Sequence, residues 1–126
     1  MAPNYNVIGA CKILENSDGI EGYVSKAYVS GQGKALVLIP DAFGWNSGRL
    51  RNVADYFASE GYYTVVPKIM TPCAEGALDG DGMPGDQPGI DMKAFFATLS
   101  YTSVLKPRVD GVMAHLRSLG ITKGEC

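Results

Sequence analysis

The apolar positions fall into short runs with two different spacings. Ala35 to Pro40, "ALVLIP", is an uninterrupted apolar stretch of strand length, the pattern of a central parallel strand covered on both faces. Beyond it Leu50, Val53, Ala54 and Phe57 recur at i, i+3, i+4 and i+7, which predicts a helix with those residues inward, capped by Asn46 or Ser47 and stopped at Gly61. "YTVVP", Tyr63 to Pro67, is a second apolar run. Ala35 to Pro67 is therefore expected to form a strand, helix, strand unit with a right-handed parallel crossover. Ahead of it, Ile20 to Val29 alternates Tyr23, Ser25, Ala27 and Val29 against Gly22, Val24, Lys26 and Tyr28, and predicts an outer strand.

After Pro67 the pattern breaks. "TPCAEGALDGDGMPGDQPG", Thr71 to Gly89, is too rich in Gly, Pro and Asp for regular structure and predicts a long loop. Asp91 can cap a short helix with Met92, Phe95, Phe96 and Leu99 at helical spacing. A last helix opens at Ser103 or Lys106-Pro107, carries Val109, Val112, Met113, Leu116 and Leu119 inward, and stops at Gly120. One α/β domain over residues 1–126 accounts for these elements.

Composition changes little. A net charge of -2 with 19% charged residues provides no basic surface for nucleic acid. No apolar stretch approaches the roughly 20 residues of a membrane span, and Met1 to Tyr5 lacks the basic and apolar regions of a secretory signal, so a cytoplasmic protein is expected. Cys11, Cys73 and Cys126 are widely spaced without a C-x-x-C pair, which suggests reduced thiols and neither disulfide nor zinc. Asp79-Gly80-Asp81-Gly82 begins like a calcium loop, but Met83 and Ile90 occupy positions that need oxygen donors. The glycines match neither phosphate-binding motif. No metal or cofactor is expected. His115, the chain's only histidine, lies inside an amphipathic helix, where a structural role fits better than the loop placement usual for a catalytic base. Lys12, Lys26 and Lys34 are scattered and require only solvation.

Asp41 stands apart. It follows the apolar strand directly, at the carboxyl end where open α/β sheets bind ligands. It either caps the nearby helix or belongs to a site, in which the tight turn after it would aim backbone amides of Ala42 or Phe43 at a developing oxyanion.

The stretch "LVLIPDAFGWNSGRLRNVADYFASEGYYTVVP", with "IEGYVS" before it and "TPCAEGALDGDGMPGD" and "FFATLSYTSVLKPRVDGVMAHLRSLG" after it, resembles the dienelactone hydrolase family of α/β-hydrolases. The resemblance covers nearly the whole chain. It implies a three-layer sandwich with a mainly parallel sheet and a carboxylic ester or lactone substrate. Asp41 would be the acidic residue that meets the nucleophile, and the Ala42 amide would belong to the oxyanion hole. Arg49 and Arg51 would be surface charge. Lys68 departs from the family, many of whose members carry Asp after the second strand's Pro.

The family nucleophile sits on a G-x-C-x-G elbow, with its Asp and His partners later. That motif is absent from the sequence. Cys126 lacks both a preceding buried strand and a Gly two positions on, so the chain resembles the N-terminal half of the fold, truncated before the nucleophile strand and inactive alone. The alternative, from a different class, is a hydrolase-derived structural or binding subunit of a larger assembly. Either way the "ALVLI" strand would lack one neighbour, leaving an edge for a protein partner or for self-association.

Overall fold

The computed structural model describes residues 6–28, 34–41, 44–46, 48–70, 92–97 and 99–121. Four strands form one sheet: β1 (Ala10–Ile13), β2 (Glu21–Val24), β3 (Ala35–Val37) and β4 (Tyr63–Pro67). Helix α1 (Leu50–Ser59) lies between β3 and β4, and α2 (Met92–Ala97), a π-helical turn (Tyr101–Leu105) and α3 (Lys106–Ser118) follow. The loop expected over Thr71 to Gly89, the cap at Asp91, and Ala42, Cys73 and Cys126 lie outside the described residues.

Sheet order is β1-β2-β4-β3. Only β3 and β4 are parallel, with Ala35 opposite Tyr63 and Val37 opposite Val65; β1 with β2 and β2 with β4 are antiparallel. The sheet is thus mixed, not mainly parallel. A parallel pair needs a crossover element, and α1 supplies one; β1 and β2 are instead joined by the short turn between Leu14 and Ile20, whose ends are tied by the Leu14 N–H to the Ile20 carbonyl at 2.7 Å. The strand expected to be central, β3, stands at the edge of the described sheet. It is also shorter than its apolar run, although the Leu38 N–H still reaches the Val65 carbonyl at 2.9 Å. Among the described strands only β4 pairs with it.

Alternation along β4 divides the core. Val65 faces α3 in a cluster with Leu14, Val112 and Leu116, while Val66 faces α1 with Tyr23 and Ala54. Both valines are fully buried, each stabilising by roughly 1.5–3 kcal/mol over exposure. Helices on both faces of one sheet make the expected three layers.

Several local expectations are corrected. The outer strand ends at Val24 rather than Val29, because the Ser25 hydroxyl accepts the Ala27 N–H at 3.2 Å and turns the chain. Arg49, not Asn46 or Ser47, is the N-cap of α1, without a side-chain capping bond. The buried stripe of α1 is Ala54 and Ala58, while Val53 is exposed. Phe96 and Leu119 are exposed as well, whereas Leu99, Val112 and Leu116 are buried. Gly61 and Gly120 do end their helices with φ of 104° and 81°, values a Cβ disfavours.

His115 is buried on α3. Its Nδ1 lies 3.0 Å from the Glu15 carbonyl and its Nε2 3.1 Å from the Tyr63 hydroxyl. A carbonyl only accepts, so Nδ1 carries the proton, and in the neutral ring Tyr63 donates to Nε2. The ring ties α3 to β4 and to the β1–β2 turn, a structural task.

Candidate active-site corner

The parallel pair aims two chain ends the same way. Beyond β3 come Pro40 and Asp41; beyond β4 comes Lys68. Asp41 is exposed, and its carbonyl accepts the Gly44 N–H at 3.0 Å, closing a tight connection in which Gly44 takes φ of 93°. Trp45 follows at once and turns inward onto the α1 side of the sheet, where its ring packs beside Tyr23 at 6.4 Å between centroids with planes 21° apart.

Two cations flank the indole. The Arg51 guanidinium is 5.7 Å from the ring centroid and the Lys68 ammonium 5.5 Å. Arg51 is half-buried against the indole, so the expectation of a mere surface charge fails for it. Lys68 also pairs with Glu21 at 2.9 Å, and its backbone N–H extends the β2–β4 ladder to the Glu21 carbonyl at 2.8 Å. The corner therefore presents one exposed carboxylate, a strand-end lysine tied to its own counter-charge, and an aromatic wall.

Behind the wall lies a polar network that pattern reading missed. Tyr23 is buried, donates to Asp55 Oδ1 at 2.6 Å and accepts the Gly9 N–H at 2.9 Å. Burial, and then the bond to Asp55, hold the phenol well above its ordinary pKa. Asp55 sits beside Arg51, Asn52 and Ser59 on the polar side of α1, so nothing in the helical period marked it. Gly9 and Asp55 lie 14 and 32 residues from Tyr23 along the chain, too far for periodicity to connect.

The structure brings Trp45, Lys68, Glu21 and Arg51 together. Asp41 is placed on the turn leading into Trp45, and Ala42 falls outside the described residues. Among the described residues no group of three His, Cys, Asp or Glu side chains could hold a metal ion, and no helix is long and apolar enough to cross a membrane.

Comparison with known proteins bears directly on this corner. The carboxymethylenebutenolidase homolog of Mus musculus is 32% identical over 100 residues, covering 78% of this chain and 36% of the mouse protein. The Homo sapiens homolog is 44% identical over 48 residues, or 38% of this chain and 19% of the human protein. A putative carboxymethylenebutenolidase of Synechocystis is 32% identical over 74 residues, 59% of this chain and 30% of the other. The chain thus matches about a third or less of the length of these curated relatives. No solved structure gives a significant match. The family model described as "Dienelactone hydrolase family" matches residues 20–122, a span that takes in β2 to β4, α1 to α3 and the whole Asp41 corner, so the chain belongs to the dienelactone hydrolase family.

Proposed function

We propose that the Asp41 corner is one half of a site that hydrolyses carboxylic ester or lactone bonds. In this reading Asp41 adjoins and interacts with the nucleophile, and the Ala42 amide donates to the oxyanion that develops on the attacked carbonyl. The observation that carries it is the position of Asp41, exposed on a tight turn at the carboxyl end of the parallel pair. Family membership supports the chemistry, and the names of the relatives support a lactone among the substrates.

No G-x-C-x-G elbow occurs in these 126 residues, and in this reading the nucleophile, its base and the base's partner lie on another segment. That segment would lay its nucleophile strand against the side of β3 that no described strand covers. The chain by itself is therefore inactive in this reading, and a further polypeptide segment completes the sheet.

Assay of the purified chain with a p-nitrophenyl ester tests this, with no turnover above the buffer rate expected. Turnover that disappears on Cys126→Ser would place the nucleophile in this chain and overturn the reading. Mixing with the C-terminal segment of the mouse relative is expected to yield turnover that Asp41→Ala removes. Turnover indifferent to Asp41→Ala would take Asp41 out of the site.

A further inference from the structure

The Nε1 of Trp45 is buried and makes no hydrogen bond among the described residues, while the ring packs on the Tyr23, Ala54 and Val66 cluster. Among the described residues Arg51, Lys68 and Tyr23 set a cation or a ring against it. Lys68 is itself held by Glu21 at 2.9 Å. Tyr23 is fixed at both ends, with its ring in the buried cluster of Ala54 and Val66 and its hydroxyl held between Asp55 and the Gly9 amide.

The same anchor holds the segment of residues 6–9. Asp55 Oδ2 accepts the Ile8 N–H at 3.2 Å, and Asn52, one turn earlier on α1, donates to the Asn6 carbonyl at 2.9 Å. Val7 packs on the cluster that also receives Trp45. At Gly9 the chain lies directly on the phenol: a Cβ there would fall 2.3 Å from the Val24 carbonyl oxygen and 2.7 Å from Tyr23 Cζ. The segment, the phenol and the indole are thus in series.

We infer that Tyr23 is a positioning residue that couples residues 6–9 to the Trp45 wall of the candidate site, so that displacing the segment moves the indole. The coupling rests on the proposed hydrolytic reading only in calling that wall part of a site. A group that binds or modifies the segment would act on the corner without touching Asp41.

Trp45 is the chain's single tryptophan, so its fluorescence reports on this one ring. In the whole chain, Tyr23→Phe keeps the ring and removes both hydroxyl bonds; Gly9→Ala pushes on the phenol and on the Val24 and Ser25 backbone from a residue outside the indole's own contacts. Both are expected to shift Trp45 emission to the red and to raise its quenching by acrylamide while far-ultraviolet circular dichroism stays native. Lys12→Ala, on exposed β1, is expected to change neither. Wild-type emission and quenching in a folded Gly9→Ala chain would overturn the inference. Loss of the fold in both variants would overturn it too, assigning Tyr23 to stability rather than positioning. No substrate is used, so a failed ester assay leaves the coupling standing and an unmoved Trp45 leaves the role of Asp41 standing.

Discussion

The two faces of the sheet are covered by different chemistry. Against α3 lie Leu14, Val65, Val112 and Leu116, aliphatic and buried, with His115 as a hydrogen-bonded rivet. Against α1 the helix contributes only alanines to the fully buried layer, and the space they leave is filled by Tyr23 and Trp45 with Asp55, Arg51 and Lys68 around them. Small residues on the helix let rings and charges reach the carboxyl end of the parallel strands. The core of one face is aliphatic around a hydrogen-bonded histidine, and that of the other sets aromatic and charged side chains toward the corner.

The sharpest break of that contrast is Leu14→Ala. Leu14 is fully buried at the centre of the α3 face, and truncating such a leucine costs about 2–5 kcal/mol through lost transfer and the cavity left behind. Urea titration of both chains would measure it. A cost under about 1 kcal/mol would mean that the aliphatic face is not where the stability resides.

Alkaline pH probes both faces at once. Burial comes first among the causes that raise Tyr63, followed by the Glu15 charge; for Tyr23 burial comes first and the bond to Asp55 second. A phenol raised in the folded state favours the neutral form there. Its contribution to stability is complete below the unfolded value of about 10 and is lost as pH rises through the folded value, because ionisation is easier in the unfolded chain. Stability should therefore fall as pH passes about 10, and Tyr23→Phe should flatten the fall more than Tyr63→Phe. Equal flattening would show that the Asp55 bond adds nothing to burial.

The same contrast explains what could be read before the structure. The Ala35 to Pro67 unit was legible because an apolar run, a helical period and a glycine stop agree. β1 was not, since Ala10, Cys11, Lys12 and Ile13 are all exposed and leave no hydrophobic signature. The end of β2 depends on one side-chain bond at Ser25, which no periodicity encodes. In the corner, Asp41 was visible as a carboxylate set directly after an apolar run. The Tyr23, Asp55 and Gly9 network was not, because it joins three elements through hydrogen bonds whose partners are distant in sequence.

The smallest expected effect falls on the corner itself. We predict that Asp41→Asn changes stability by less than about 1 kcal/mol, at or below the usual cost of losing a helix cap. Asp41 is exposed, α1 begins at Arg49 without a side-chain cap, and the turn is closed by the Asp41 carbonyl, which asparagine retains. Asparagine nearly matches the shape of aspartate and removes only the charge, so the substitution separates a charge needed for chemistry from one needed for the fold. Denaturant titration of the two chains measures the difference. A loss well above 1 kcal/mol would make the carboxylate part of the scaffold and erase the distinction between a face that holds the molecule together and a corner free to do chemistry.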